Sequence, residues 1–215
     1  MRNPVEGNPV PPMTDYRQHL YRRYVSQFKR PEGALQSTSE KETWRYFDHK
    51  YFRHIRGLAP DDAILEVGCG SGVLLAYLAQ KGFRSLEGVD ISEEQIEIAR
   101  ARNLRVQCGD VFAFLESKVE AYKAVIAIDF IEHFTKEEAL KLLPLFFRAL
   151  KKDGILLMQT PNGQGLFAGQ VIYGDLTHCT IFTPESLRQV LRLAGFSQIL
   201  FDETGPVQKD LKGTL

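Results

Sequence analysis

The sequence predicts an α/β fold built on a doubly wound, mostly parallel sheet of six or seven strands, with an N-terminal helical lid. From residue 63 onward, short apolar segments of strand type alternate with helical patterns. A glycine-rich turn follows the first strand, and residues 124–128 are almost purely apolar, which is typical of a strand buried on both faces of a parallel sheet. These observations describe a Rossmann-like domain, which we place at residues 41–215, after an arm and lid at residues 1–40.

Composition and charge restrict the function classes. The 215 residues suffice for one domain, and 27 basic residues balance 27 acidic ones, which disfavours nucleic acid as a partner. The three cysteines lack C-x-x-C spacing, so we expect neither a disulfide framework nor a zinc site, and a reducing compartment fits. No signal peptide opens the chain, and no apolar run approaches the roughly 20 residues that span a bilayer. We therefore expect a cytoplasmic protein.

The N-terminal segment contains two helical patterns. After a proline-rich arm, Tyr16 and Tyr24 fall on one face of a helix that begins near Asp15. These aromatic residues either pack the helix or belong to a lid that binds the substrate, and both interpretations stay open. A second helix, predicted from about residue 41 to residue 58, has an aromatic spacing that favours docking onto the sheet.

A glycine turn joins the first predicted strand to its helix and is the most informative stretch of the sequence. The turn reads Gly68-Cys69-Gly70-Ser71-Gly72. Glycine is needed where the backbone takes a positive φ or approaches a ligand closely. A strand, a glycine turn and a helix form the first half of a nucleotide-binding α/β unit. The dinucleotide fingerprint G-x-G-x-x-G is incomplete here, because Val73 occupies its third glycine position.

Glu66, close before this turn, distinguishes two kinds of nucleotide. A pyrophosphate favours bare N–H groups at a helix N-terminus, and a neighbouring carboxylate would repel it. S-adenosylmethionine has no phosphate and carries a sulfonium and an α-ammonium group, which an acidic residue attracts. The charge of Glu66 therefore favours S-adenosylmethionine over NAD.

Asp90 lies at the end of the second predicted strand. A carboxylate in this position can accept hydrogen bonds from both ribose hydroxyls of a nucleotide. The alternative is an aspartate that caps the next helix, although Ser92 can supply that cap itself. Ile91 follows Asp90 and is assigned to the same cofactor site.

Polar residues follow the central strand of the predicted sheet. The sequence continues as Asp129-Phe130-Ile131-Glu132-His133. In open α/β sheets, ligands lie beyond the carboxyl ends of the strands. We therefore expect Asp129, Phe130 and His133 to face the methyl donor and the acceptor.

A long glycine-rich loop over residues 163–182 should border the same site, since it follows the end of the fifth strand. Asn162, directly before the loop, is assigned to substrate binding, and the loop contains Asp175 and His178. The remaining predicted elements are a helix from Thr135 to about residue 151, a fifth strand over residues 155–160, a helix from Thr183 to residue 194 and a sixth strand over residues 196–201.

The two histidines are candidate general bases for methyl transfer. The reaction is an in-line displacement at the sulfonium methyl carbon, and placing the reactants supplies much of the rate. A protonated sugar hydroxyl is a poor nucleophile, and histidine is the natural base near neutral pH. We favour His178 as the base and His133 as an acceptor-side residue, with Asp175 orienting His178 or binding a sugar hydroxyl. Structural roles for both histidines stay open, and no spacing demands a metal ion.

Five motifs match a known pattern: residues 65–72, residues 88–92, Gly109-Asp110, Glu132-His133 and Thr183-Pro184-Glu185-Ser186-Leu187. Over about residues 40–203 the chain resembles class I S-adenosylmethionine-dependent methyltransferases, and within them the ubiquinone-biosynthesis type of O-methyltransferase. The resemblance implies S-adenosyl-L-methionine as cofactor and S-adenosyl-L-homocysteine as product. It also implies that Asp110, with the Val111 N–H nearby, reads the adenine amino group, the alternative being a plain turn aspartate. The assigned cofactor-binding residues are Glu66, Gly68, Cys69, Gly70, Gly72, Asp90, Ile91, Asp110, Val111, Asp129 and Phe130.

A narrower resemblance covers nearly the whole chain. The segments that carry it are residues 20–26, residues 159–163, residues 173–178 and residues 203–206. They are similar to bacterial methyltransferases of polysaccharide and O-antigen biosynthesis, which implies a sugar or glycan hydroxyl as acceptor. A phenolic or amine small molecule, and a non-catalytic S-adenosylmethionine-binding subunit, remain the alternatives, and a homodimer is left open.

The end of the chain departs from the superfamily pattern. The sheet of these enzymes normally ends with a seventh, antiparallel strand, and the sequence after Phe201 does not predict one. We favour truncation of a longer protein as the explanation. A native extension past Leu215 would allow attachment to a membrane.

Overall fold

The computed structural model describes residues 20–21, 40–165 and 168–202. Leu20 and Tyr21 are helical, as expected for the N-terminal segment. Tyr16 and Tyr24, which the sequence assigned to substrate binding, lie outside the described residues.

The centre of the fold is a parallel sheet of five strands with the order β3-β2-β1-β4-β5. The chain starts in the middle of the sheet, adds β2 and β3 on one side, and then returns to the other side with β4 and β5. This reversal creates a crevice at the carboxyl ends of β1 and β4, the position where doubly wound sheets bind ligands. The strands are β1 (Ile64–Val67), β2 (Leu86–Asp90), β3 (Val106–Cys108), β4 (Tyr122–Ile128) and β5 (Leu150–Gln159).

The helices begin largely where capping residues predicted them. Thr135 and Thr183 each form a capping box at a helix N-terminus, and Gly195, with a φ of 108°, follows the last helix. The helices are α1 (Glu40–Phe47), α2 (Arg53–Ile55), α3 (Val73–Gln80), α4 (Glu93–Ala101), α5 (Val111–Glu116), α6 (Lys136–Ala149), α7 (Ala168–Ile172) and α8 (Pro184–Leu193), with a π-helical turn at Asp48–Phe52 and a 3₁₀ turn at Ile131–His133.

Successive residues of the central strands point to opposite sides of the sheet, and helices pack against both sides. On one face, Leu65 and Val125 pack with apolar side chains of α5, α6 and α8. On the other face, Ile64 and Ala124 pack with Tyr51 of the π-helical turn and with residues of α1, α2 and α3. This arrangement confirms the predicted doubly wound α/β fold and the docking of the second N-terminal helical segment onto the sheet.

The predicted number of strands is wrong, since the described residues form five strands and not six or seven. The segment 196–201, predicted as the sixth strand, is irregular. Its inward-facing side chains, Phe196 and Ile199, are three residues apart, whereas a strand places every second side chain on the core. Phe196 packs edge-on against Phe147 of α6 with a ring separation of 5.1 Å, and Leu200 is almost fully exposed.

The boundary between α6 and β5 also differs from the prediction. The helix ends at Ala149 and the strand begins at Leu150, earlier than the expected change near residue 154. The pairing of β4 with β5 shifts register between Tyr122 and Ala124. Asp153 has a φ of 56°, so an irregular extended segment replaces the turn that Asp153-Gly154 predicted.

Two further expectations concern the membrane and the cysteines. Within the part of the chain that the structure describes, no helix is long and apolar enough to cross a membrane. Cys69, Cys108 and Cys179 are thiols and form no disulfide with one another.

Candidate active site

The glycine turn after β1 is packed too closely for side chains at two positions. A Cβ atom on Gly68 would lie 2.5 Å from Cδ2 of Phe130, and one on Gly72 would lie 2.4 Å from Cδ1 of Leu104. Both glycines also have positive φ values, 67° and 73°. The turn therefore brings bare backbone to the crevice between β1 and β4, with the Phe130 ring lying against it.

Asp90, at the end of β2, is tied to this turn by hydrogen bonds. Its Oδ2 accepts from the Gly70 N–H over 2.9 Å, and its Oδ1 accepts from the Ser92 N–H over 2.8 Å. A carboxylate oxygen can accept more than one hydrogen bond, so this carboxylate can also accept from the hydroxyls of a diol. The carboxylate is thus fixed in orientation at the edge of the crevice, next to Ile91, which is 43% exposed.

Glu66 is a buried carboxylate with an unsatisfied oxygen. The side chain is 6% exposed, and Oε2 has no hydrogen-bond partner among the described residues. Burial raises the pKa of Glu66 well above its usual range, and the neighbouring Asp90 adds to this effect. A buried, unsatisfied carboxylate beside a ligand crevice suits a cationic group and opposes a phosphate.

Cys69 forms part of the crevice wall as a neutral thiol. It is buried, its N–H donates to the Val89 carbonyl over 3.2 Å, and its side chain packs with Leu75 and Ile96. Burial raises the pKa of Cys69, and the charges of Glu66 and Asp90 raise it further. A reactive thiolate is therefore not expected at this position.

Asp110 acts as a helix cap. Its Oδ1 accepts hydrogen bonds from the N–H groups of Phe112 and Ala113 at the start of α5. Val111 is the first residue of that helix, so its N–H has no partner within the helix. Helix capping is a structural role, like the turn aspartate that was the alternative for Asp110. The role of Asp110 in adenine recognition stays a prediction.

Asp129 follows β4 in a strained conformation that neighbouring elements support. It has a φ of 47°, its N–H donates to the Gln159 carbonyl over 3.0 Å, and its Oδ1 accepts from Gln159 Nε2 over 3.0 Å. The Tyr51 hydroxyl donates to Gln159 Oε1 over 3.1 Å. The π-helical turn is therefore linked through β5 to the carboxyl end of β4.

Glu132 is the second buried carboxylate of the site. It is 2% exposed, its Oε2 accepts from the Thr160 hydroxyl over 3.0 Å, and its Oε1 has no partner among the described residues. Burial raises the pKa of Glu132 to about 7, and the charges of Asp129 and Asp175 act in the same direction. The Glu132 carbonyl accepts from the N–H groups of Cys179 and Thr180, which holds the long loop against the 3₁₀ turn.

His133 is oriented by a hydrogen-bonded chain from the long loop. The Thr177 hydroxyl donates to Asp175 Oδ1 over 2.6 Å, so its oxygen can accept from His133 Nδ1, which lies 2.9 Å away. The Thr177 carbonyl lies 3.4 Å from the same nitrogen. These contacts hold the His133 ring through its Nδ1 atom. Burial lowers the pKa of His133, and His178 lowers it further, which keeps the ring neutral near pH 7.

His178 lies beside His133, with 5.0 Å between the ring centroids. Its Nδ1 lies 3.2 Å from the Ile172 carbonyl, which can only accept, so this nitrogen carries the proton. The structure thus brings both predicted histidines together, and it links Asp175 to His133 through the Thr177 hydroxyl.

Three groups of this site could hold a metal ion. One carboxylate oxygen of Glu132 and one ring nitrogen each of His133 and His178 lie within 4.8 Å of one another. Two imidazoles and a carboxylate are a donor set for divalent transition metals.

Asn162 follows the end of β5, and Tyr21 contacts His133. Asn162 is exposed, and its Oδ1 accepts from the Gln164 N–H over 3.0 Å, which is a turn-forming contact. The Tyr21 ring meets His133 edge-on at 6.1 Å. The N-terminal segment therefore reaches the histidine pair.

Sequence reasoning missed Thr177, Thr160 and Gln159, which orient the acidic and histidine groups. For Thr177 a local signal existed, since an aspartate two residues before a threonine often forms a turn bond to its N–H, and Asp175 accepts from the Thr177 N–H over 2.8 Å. Gln159 and Thr160 contact residues that lie 30 and 28 positions earlier, after β4, so no pattern of neighbouring residues indicated these contacts.

The fold and the crevice define a class of protein. A doubly wound parallel sheet whose glycine turn lies against a buried, unsatisfied glutamate suits S-adenosylmethionine and not a dinucleotide. Residues 16–200 match the family model described as a methyltransferase domain, and the chain belongs to this family.

Individual relatives agree with this assignment. The chain is 25% identical over 167 residues to a protein named ubiquinone biosynthesis O-methyltransferase from Idiomarina loihiensis, with 70% of this chain and 67% of that protein covered. It is 30% identical over 133 residues to a protein named small RNA 2'-O-methyltransferase from Schizosaccharomyces pombe, with 53% of this chain and 34% of that protein covered. The chain therefore spans between one third and two thirds of the length of these curated relatives.

A solved structure shares the fold. It is a SAM-dependent methyltransferase from Archaeoglobus fulgidus, with a TM-score of 0.65, 23% identity, and coverage of 80% of this chain and 82% of that chain. The chain thus carries a methyltransferase domain with a fold that it shares with a solved S-adenosylmethionine-dependent methyltransferase.

Proposed function

We propose that the protein methylates a hydroxyl group of a sugar or glycan, with a histidine as general base. The observation that carries this proposal is the pair formed by His133 and His178, whose rings lie 5.0 Å apart beyond the end of β4. The methyl donor binds at the carboxyl end of the adjacent strand, so donor and acceptor meet in one crevice.

The donor is held by the groups around the glycine turn. Asp90 binds the ribose hydroxyls, because both of its oxygens are already oriented by backbone N–H groups. Glu66 faces the cationic end of the donor, and the Val111 N–H and Asp110 lie toward the adenine. Ile91 and Phe130 supply apolar surface, and Gly68, Cys69, Gly70 and Gly72 supply backbone.

The reaction is an in-line displacement. The acceptor oxygen attacks the methyl carbon, the carbon–sulfur bond breaks, and S-adenosylhomocysteine leaves. A neutral imidazole accepts the hydroxyl proton. The contact between Thr177 and Nδ1 of His133 supports this role, because it orients the imidazole beside His178. His178 is the second candidate for the base.

The acceptor atom is oxygen, and its carrier is a sugar. Both curated relatives reported above are named as O-methyltransferases, and one is named for the 2'-oxygen of small RNA, which is a sugar hydroxyl. The net charge of zero weighs against a polynucleotide as the natural acceptor. A phenolic acceptor is the second candidate, supported by the relative named for ubiquinone biosynthesis.

The N-terminal segment closes over the acceptor. The contact between Tyr21 and His133 supports this role, since it brings residues before α1 to the histidine pair. Tyr16 and Tyr24 contribute rings and phenol groups to the same lid. The three thiols fit a reducing, cytoplasmic environment.

The test is methyl transfer by the full chain to a panel of acceptors, with S-adenosylhomocysteine as the measured product. The panel contains nucleotide sugars, lipid-linked glycans, catechols and small amines. Turnover with sugar acceptors alone supports the proposal. Turnover with catechols alone contradicts it and supports the phenolic acceptor instead. Donor binding without turnover on any acceptor would favour a non-catalytic subunit.

Substitutions test whether the two histidines act in the reaction rather than in donor binding. His133→Asn and His178→Asn should each lower turnover at least about tenfold while S-adenosylmethionine still binds. His49→Gln changes an exposed histidine of the π-helical turn and should leave turnover unchanged.

A further inference from the structure

The carboxylate of Glu132 is not satisfied by the residues around it. The side chain is 2% exposed, Oε2 is occupied by the Thr160 hydroxyl, and Oε1 has no partner among the described residues. A buried carboxylate oxygen without a hydrogen-bond partner is costly unless a cation or a proton compensates it.

Two imidazole nitrogens lie next to this carboxylate. One possible ligand atom from each of Glu132, His133 and His178 lies within 4.8 Å of the other two. Ligands of one metal ion at bond lengths of about 2.0–2.2 Å lie at most roughly 4.4 Å from each other. In a tetrahedral site the same bond lengths place the ligand atoms roughly 3.4 Å apart, so the longest of these separations would have to close by about an ångström for the three atoms to bind one cation.

Both histidine rings are held in place by contacts of their Nδ1 atoms. Nδ1 of His133 contacts the Thr177 hydroxyl, which in turn donates to Asp175, and Nδ1 of His178 faces the Ile172 carbonyl. Both rings are therefore oriented by neighbouring groups before any cation binds. Metal-binding histidines typically donate their other N–H to a carbonyl or to a carboxylate-linked group in this way.

We propose that Glu132, His133 and His178 bind a divalent transition-metal cation that activates the acceptor hydroxyl. Two imidazoles and one carboxylate suit Zn²⁺ or Mn²⁺, whereas Ca²⁺ prefers six to eight oxygen ligands. Three protein ligands leave at least one coordination position for the acceptor oxygen.

This inference extends the methyl transfer proposed above. Its reaction step rests on that proposed function, whereas its claim of cation binding does not. The acceptor oxygen coordinates the cation, its O–H bond breaks, and the proton passes to water. The oxygen then forms its bond to the methyl carbon, and the electron pair of the broken carbon–sulfur bond stays on sulfur. With the cation bound, the metal takes the place of the free histidine base in the reaction proposed above, and the two imidazoles act on the hydroxyl as ligands of that metal.

The test is direct cation binding by the full chain, without donor or acceptor. Protein treated with a chelator and then freed of it is titrated with MnCl₂ or ZnCl₂ by calorimetry, and bound Mn²⁺ is confirmed by electron paramagnetic resonance. We expect one cation per chain. Glu132→Gln and His178→Asn should each weaken binding at least about tenfold, and Thr177→Val, which removes the support of His133, should weaken it about 10-fold or more.

Glu132→Gln is a suitable variant, because it removes a buried charge and keeps an oxygen for the Thr160 hydroxyl. The matched control is His54→Gln, since His54 also lies near a carboxylate, that of Asp202 at 3.7 Å, but on the surface. This control should bind the cation as tightly as wild type.

The outcomes separate this inference from the proposed function. Binding of neither cation, or binding that survives Glu132→Gln and His178→Asn, overturns the metal site. If sugars are still methylated in that case, the histidine base stands alone. Cation binding that depends on these residues, without turnover on any acceptor, supports the site and contradicts the proposed reaction.

Discussion

The Gly70 N–H donates to Oδ2 of Asp90 over 2.9 Å, which ties the end of β2 to the glycine turn after β1. One carboxylate therefore both shapes the turn and lies at the edge of the crevice. Loss of this carboxylate should weaken binding of the methyl donor, because its hydrogen bonds to Gly70 and Ser92 lie at the site itself.

Asp90→Ala should weaken S-adenosylmethionine binding. A hydrogen bond to a charged group contributes about 1.5–3 kcal/mol, which corresponds to a loss of affinity of roughly 10- to 150-fold. The measurement is calorimetric titration with S-adenosylmethionine, S-adenosylhomocysteine and NAD. Asp62→Ala, which removes a surface aspartate bound to the Ala59 N–H, is the control. Unchanged affinity in Asp90→Ala would contradict the assignment.

Gly68→Ala should abolish donor binding. The added Cβ would meet the Phe130 ring at 2.5 Å, and the φ of 67° is strained for alanine. Gly57→Ala, where no atom lies within 4 Å of the added Cβ, should bind normally. Adding Phe130→Ala to Gly68→Ala removes the clash but not the strained φ, so a partial recovery of binding is expected. Normal binding by Gly68→Ala alone would show that the turn is adjustable.

Glu66→Gln should reduce the loss of stability that the donor-free protein shows as the pH rises from 5 to 8. The pKa of Glu66 is raised in the folded state, so folding holds a proton that the unfolded chain releases near its usual pKa of about 4.3. The stabilising contribution is complete below that pH and is lost as the pH rises toward the folded-state pKa. Glutamine has no such loss.

The measurement is urea unfolding of both proteins between pH 5 and pH 8, without the donor. Glu132, whose pKa is raised to about 7, contributes in the same direction in both proteins, so only the difference between their slopes reports on Glu66. The variant should have the flatter slope and weaker S-adenosylmethionine binding. Parallel slopes would show that Glu66 is charged in the folded protein.

Thr177→Val should lower turnover while donor affinity stays unchanged. The valine keeps the shape of the buried threonine but removes the hydroxyl between Asp175 and His133, which leaves two polar groups without this partner. We expect a loss of about tenfold, and Thr177→Ser should retain most of the activity. Thr180→Val is the matched control, since Thr180 is buried in the same loop and bonds Glu132 through its backbone. Equal losses in both valine variants would indicate a packing effect.

Part of this site was predictable because its signals are local. The glycine turn, Asp90 and the caps at Thr135 and Thr183 each depend on residues that are close in sequence, and the structure places them as the patterns indicated. The meeting of His133 with His178 followed from one topological rule, that loops after parallel strands gather at the same edge of the sheet.

The rest of the site depends on contacts between distant residues. Thr177 and His133 are 44 positions apart, and no pattern in either segment specifies their hydrogen bond. The predicted sixth strand was wrong for a related reason, since the aromatic and apolar composition of residues 196–201 does not reveal whether Phe196 pairs with a strand or packs on Phe147.

The π-helical turn at Asp48–Phe52 has a consequence for how this protein tolerates changes in length. A π-helical turn holds extra residues relative to an α-helix, and each residue rotates the following side chains by about 100°. Tyr51 lies in that turn and hydrogen-bonds to Gln159, 108 positions away, which in turn holds Asp129. A deletion or insertion of one residue in this helix would therefore be an active-site mutation, although it would fall well before the first strand in the gene.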